Sequence, residues 1–200
     1  MTAKLAFFDV DTQRDFLEPT GTLHVKGAER LAGNLAALVE HARARRIPIV
    51  ASADAHSPDD PEFRQFPPHC VAGTPGQRKV PATSVEGTRT VPSRPVAAAD
   101  LDGARAAPAV LFEKQAFDAF TNPNLEPYLA RLGALEFVVF GVATDYCVRA
   151  AALGLRQRGY AVRLVTDAIA PVAEDAGRRA LEEMLAAGVV PTTTREVLSS

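Results

Sequence analysis

The chain is 200 residues long, 47% hydrophobic and 23% charged, with a net charge of -2. That length suits one domain, residues 1–200, with a sizeable core. The near-neutral balance excludes the field of a nucleic-acid or membrane-surface protein, and no apolar run is long enough to span a bilayer.

Two cysteines, Cys70 and Cys147, lie in unlike contexts, a polar loop and a helix start, so free thiols and a reducing, cytoplasmic setting are the expectation. Leu5 to Val10 is a short apolar strand rather than a signal peptide, and it ends at Asp11-Thr-Gln-Arg-Asp-Phe. Gly27 to Arg46 has helical spacing, with Leu31, Leu35, Leu38 and Ala42 on one face and Arg43, Arg45 and Arg46 in its last turn, where cations suit the dipole. Ile47 to Ala53 is a second buried strand, ending at Asp54. Asp54 to Val80 has little periodicity, and a loop this long inside a compact domain is usually functional. Phe63, Phe66, Cys70 and Val71 offer it anchors. Thr88 to Val91 is at most a short strand in a poorly patterned region that runs to Asp100. Ala109 to Glu113 is a clear strand ending at Lys114, and Asn124 to Leu132 a short helix.

The stretch from Leu135 to Gly159 organises the rest. Phe137 to Phe140 reads as a buried strand that breaks at Gly141; Thr144 and Asp145 are helix N-cap types, and an Ala- and Arg-rich amphipathic run follows to Gly159. Cys147 falls in the first helical turn, where free N–H groups and the helix dipole favour a thiolate and can hold an oxyanion. Alone, such a Cys is more often a buried packing residue. Ala161 to Val165 is another strand, Glu174 to Ala187 a helix with Leu181, Met184 and Leu185 inward, and Val189-Val190 a last short strand.

Strands alternating with helices indicate a three-layer α/β/α sandwich around a mostly parallel, six-stranded sheet. Ligands of such sheets bind outside the carboxyl ends of the strands. Asp11, Asp54, Lys114 and Cys147 each follow a strand, so topology gathers them on one edge. A Cys, Asp and Lys trio there can act as nucleophile, base and orienter.

At these residues the chain resembles the isochorismatase-like cysteine hydrolases, within them the nicotinamidase/pyrazinamidase branch. The matching pieces are DTQRDF from Asp11, DAH from Asp54, FPPHCVAGTPG from Phe66, FEKQAF from Phe112 and GVATDYCVRAAA from Gly141. The resemblance implies Asp11 as general base, Lys114 as its partner and Cys147 as nucleophile. It also implies a cis peptide between Val142 and Ala143, with the N–H groups of Ala143 and Cys147 as oxyanion hole. Relatives use an Asp-x-His pair, a variable third ligand and a later His for a divalent metal, zinc first, with manganese or iron as alternatives. Asp54, His56 and His69 fill three of those places, and Glu62 is the choice for the variable one, with Asp60 and Asp59 behind it. Phe16 and Phe66 match positions lining the substrate pocket, and Phe120 and Tyr146 are further candidates; many nicotinamidases carry Trp where Phe66 stands. Asp15 is read as structural, Cys70 as packing, and His24 and His41 receive no role.

The expected activity is hydrolysis of nicotinamide, or a similar heteroaromatic carboxamide, through a Cys thioester, by a homo-oligomer acting on a small molecule. Two other readings stand beside it. One is another reaction of the same family: carbamoyl or ureide amide cleavage, or isochorismate-type hydrolysis, which has no need of an Asp-x-His loop. The other is a catalytically silent small-molecule binder, against which the intact trio argues.

Overall fold

The computed structural model describes residues 5–199. Its core is a seven-stranded, all-parallel sheet in the order β3-β4-β2-β1-β5-β6-β7. The strands are β1 (Leu5–Val10), β2 (Ile49–Asp54), β3 (Arg89–Val91), β4 (Ala109–Lys114), β5 (Glu136–Val142), β6 (Ala161–Ala170) and β7 (Val190–Thr192). The helices are α1 (Arg14–Leu17), α2 (Ala32–Ala44), α3 (Ala98–Ala104), α4 (Leu125–Leu132), α5 (Arg149–Gln157), α6 (Glu174–Ala186) and α7 (Thr194–Leu198). Central strands of a parallel sheet are covered on both faces, so they read as continuous apolar runs. β1 obeys this: Ala6, Phe8 and Val10 join one core with α3, α4 and α5, while Phe7 joins the opposite core with α2 and α7. Phe7, Phe8, Phe137 and Phe140 are fully buried, each worth ~1.5–3 kcal/mol over an exposed ring.

The sheet has seven strands rather than six, and the added one is β3, three residues paired to β4 at the edge. A strand that short carries no readable alternation. β5 does not break at Gly141. It continues to Val142, and Gly141 sits at φ 122° where a Cβ would meet the Val10 carbonyl oxygen at 2.0 Å, so the strand needs glycine to lie against β1. β6 runs five residues past Val165, after a register shift opposite Val139–Gly141. The expected helix from Gly27 divides into a 3-10 turn, Ala28–Leu31, and α2, which ends before Arg45 and Arg46. On α6, Met184 is buried but Leu185 is 40% exposed, so Leu185 faces outward.

Chain order runs outward from β1 to β2 and beyond, then returns to β5 on the other side. The C-terminal ends of β1 and β5 therefore flank a topological switch point, where such sheets bind ligands.

Candidate active site

Four strand ends form the floor. Asp11 ends β1 in a left-handed turn (φ 48°), a conformation costing ~1–2 kcal/mol for a residue with a Cβ. Its backbone N–H donates to the Ser52 carbonyl, and Ser52 Oγ donates to Asp11 Oδ1 at 2.6 Å. The other carboxylate oxygen lies 2.8 Å from Lys114 Nζ, and the same ammonium reaches Cys147 Sγ at 3.6 Å and Asp54 Oδ1. Asp11 and Lys114 are buried side chains with no exposed surface. Burial opposes the Lys114 charge, but Asp11 and Asp54 outweigh it and hold the ammonium well above its ordinary pKa.

Cys147 lies within a π-helical turn, Thr144–Val148, that leads into α5. The Val142–Ala143 peptide is cis. Neither N-cap candidate caps this turn. Ala143 holds the cap position, and Asp145 instead accepts from the N–H groups of Val172 and Ala173 at 2.9 and 3.0 Å, tying the β6–α6 loop to the Cys147 turn. The thiol also departs from the thiolate expectation. Burial raises its pKa well above the ordinary value; Lys114 opposes this, but Asp11 and Asp54 add to it. Burial and the two carboxylates thus disfavour the thiolate at Cys147.

Asp54 joins this floor to a second cluster. Its Oδ2 lies 3.7 Å from His56 Nε2, and atoms of Asp54, His56 and His69 fall within 4.8 Å of one another. His69 Nε2 is 3.7 Å from Glu62 Oε1. His69 Nδ1 is 2.8 Å from the Pro67 carbonyl, which can only accept, so Nδ1 carries the proton and Nε2 presents its lone pair. His56 Nδ1 is likewise 2.9 Å from Asp60 Oδ2, and its Nε2 is buried with no hydrogen-bond partner. His56 and His69, each with Nδ1 engaged and Nε2 near a carboxylate of Asp54 or Glu62, form a donor set that fits a divalent metal, with Asp60 and Pro67 as outer partners. Burial opposes protonation of His56, yet Asp54 and Asp60 push its pKa up to about 9; those carboxylates call for positive charge, which imidazolium or a metal can supply. Asp60, the fallback, bonds His56 Nδ1 and the Glu62 N–H and lies within 4.8 Å of both His56 and Glu62 ligand atoms, while Asp59 is exposed.

The loop carrying these groups is pinned to the floor. Gln13 grips Asp54 from both sides, accepting from its N–H at 2.7 Å and donating to its carbonyl at 2.9 Å. Asp15 accepts from Cys70 N–H at 2.7 Å and Thr22 N–H at 3.2 Å, so its structural role reaches into the metal loop. Cys70 itself is fully buried, and burial pushes its thiol pKa up. His24 pairs with Glu29, and His41 stacks on Phe7.

A narrow cavity of about 40 Å³ connects the two clusters, lined by Phe16, Leu23, Val25, Asp54, Glu62, Phe66, His69, Phe117, Ala143, Tyr146, Cys147 and Val172. Phe16, Phe66 and Tyr146 are among its lining residues. Phe120 is not: its ring packs on Gly154 and under the Arg158 guanidinium, 3.7 Å from the ring centroid. Phe117 takes that place, meeting Tyr146 at 5.0 Å and Phe66 at 6.3 Å. Its position in the FEKQAF piece, three residues past Lys114, was the available signal.

The chain matches the Isochorismatase domain model over residues 6–196. It is 35% identical to the nicotinamidase/pyrazinamidase of Mycobacterium tuberculosis, over 92% of this chain and 96% of that protein. The pyrazinamidase of Pyrococcus horikoshii, solved in complex with zinc, superposes with a TM-score of 0.80 at 28% identity, covering 95% and 99% of the two chains. A probable inactive nicotinamidase of Arabidopsis thaliana is 27% identical over 96% of this chain and 93% of that protein. The chain belongs to the isochorismatase domain family.

Proposed function

We propose that this hydrolase of carbon–nitrogen bonds converts nicotinamide, or a closely similar heteroaromatic carboxamide, to its acid and ammonia. The observation that carries the reading is the buried ammonium of Lys114, which touches Asp11, Asp54 and Cys147 at the floor of a cavity walled by His69 and Glu62. Cys147 Sγ attacks the carboxamide carbon and gives its proton to Asp11. Lys114 stays protonated and keeps the Asp11 carboxylate in place. The N–H groups of Ala143 and Cys147 receive the oxyanion. Asp11 then passes its proton to the departing ammonia as the carbon–nitrogen bond breaks, leaving a thioester. Water attacks that thioester with Asp11 again as base, and the acid leaves as Cys147 recovers its proton. Asp54, His56, Glu62 and His69 would hold a divalent ion, zinc first, and its chemistry when bound is a Lewis-acid contact for a ring nitrogen. Phe16 and Phe66 offer faces for the ring. The intact trio favours an active enzyme over a silent binder.

Ammonia release from nicotinamide, pyrazinamide and benzamide, with and without chelator, tests this. Nicotinamide should be turned over fastest and benzamide ~100-fold or more slower, because it lacks the ring nitrogen. Equal rates on benzamide and nicotinamide would remove the metal-anchored ring, and no ammonia from any of the three would point to another amide.

A further inference from the structure

A second cavity, of about 560 Å³, lies on the α2 side of the sheet and shares no lining residue with the catalytic one. Its floor is the strand face of β1, β2 and β4, including Asp9, Ala51 and Leu111, which pair in register across the three strands. Its other walls are Arg14 and the segment from Arg78 to Thr88. The volume is that of a small-molecule site.

The charges in it are not those of the chain as a whole. Three cations, Arg14, Arg78 and Lys79, face one acid, Asp9, in a protein of net charge -2. Asp9 is 1% exposed and already engaged: Thr12 Oγ1 donates to one oxygen at 2.8 Å, and Lys79 Nζ lies 2.9 Å from the other. The donors are less well served. Lys79 is already spent on Asp9, but Arg14 Nε is shut off from solvent without a hydrogen bond of good geometry, and Glu18, the acid beside it, stands 3.7 Å away. Buried charged donors left so are costly unless an acceptor arrives. The apolar floor, Ala51 and Leu111, and Val85 opposite offer a surface for a hydrophobic body beside that acceptor.

We propose that this cavity binds a small organic anion, a carboxylate carried on a compact apolar body, with Arg14 and Arg78 on the carboxylate and Lys79 beside them. A guanidinium pair beside an ammonium suits a carboxylate's two oxygens. The inference is independent of the amide that the catalytic cavity takes.

Calorimetric titration with benzoate and, separately, inorganic phosphate tests it, with backbone amide shifts to locate the site. Benzoate should saturate with a Kd at or below ~1 mM, moving amides of residues 78–88, and should bind ~10-fold or more tightly than phosphate because only it covers the apolar floor. Arg78→Glu, at an exposed position that leaves the Asp9–Lys79 pair intact, should weaken benzoate by ~10-fold or more. Phe66→Ala, in the wall of the other cavity, should leave that binding unchanged. Phosphate binding as tightly as benzoate would overturn the apolar-body assignment. Absence of saturable binding, shifts confined to the catalytic cavity, or Arg78→Glu binding as wild type would overturn the site itself.

Discussion

The floor of the catalytic cavity and the loop above it are held by different means. Asp11, Asp54 and Lys114 stand at the ends of β1, β2 and β4, where parallel ladders fix the backbone up to the functional residue; Asp54 and Lys114 are themselves a registered pair. Among the described residues, the loop that carries His56 and His69 has no ladder beyond two isolated bridges, His56 to Val71 and Lys79 to Gln13, and its candidate ligands depend on single bonds: Asp15 to Cys70, Asp60 to His56, Pro67 to His69. A floor built this way is insensitive to any one neighbour, while the loop should fail one bond at a time. Asp54 belongs to both, with one oxygen on Lys114 and the other toward His56.

The sharpest way to break the floor is at Cys147. Cys147→Ala should lower kcat/KM by ~10⁴-fold or more while thermal unfolding stays near wild type, because Sγ is the attacking atom of the proposed reaction. Asp11→Asn and Lys114→Ala should each cost nearly as much, and a double variant little more than either, since the three act as a unit. Additive losses would show that they act separately.

Next comes the loop. His56→Ala and His69→Ala should each lose stoichiometric metal by elemental analysis and most turnover of nicotinamide, with smaller effect on any residual benzamide rate. Glu62→Ala should weaken metal while leaving the trio geometry intact. Metal retained at full stoichiometry in His69→Ala would place the ion elsewhere. A milder break lies one shell out: Asp60→Ala removes the acceptor for His56 Nδ1–H and should cost ~10–100-fold in metal affinity. Unchanged affinity would mean that Asp60 does not orient the ring.

Floor and loop were also unequally legible in the sequence. Strand periodicity and parallel topology together place Asp11, Asp54, Lys114 and Cys147 on one edge before any coordinates are seen. The protonation of Cys147 was not legible, because it depends on two carboxylates from β1 and β2 converging on a buried sulfur. Nor was the division of labour among Asp60, Glu62 and Asp59, since a 3-10 turn, Pro61–Arg64, decides which acid points where. Short elements escaped for a related reason. β3 and α3 sit in a stretch without alternation, and the five-residue α7 announces itself only by its capping box, Thr193 with Glu196.

Phe117 and Phe120 offer the finest test of this contrast. They stand three residues apart after β4, Phe120 in a single 3-10 turn, Ala119–Thr121, and Phe117 before it, so no period says which faces the cavity. The structure sends Phe120 under Arg158 and leaves Phe117, 39% exposed, at the cavity mouth with Phe66 and Tyr146. The cavity is narrow, about 40 Å³, and Phe117 is the most exposed of the three rings at its mouth. Phe117→Ala should therefore raise KM for nicotinamide by ~5-fold, through the lost ring contact, with kcat within about twofold. The same change should improve bulkier amides relative to nicotinamide. Phe120→Ala should leave KM and selectivity alone and lower stability by ~1–3 kcal/mol through lost packing on Gly154 and Arg158. Steady-state kinetics on both variants, alongside denaturant unfolding, decide it. A KM change in Phe120→Ala with none in Phe117→Ala would reverse the assignment of these two rings.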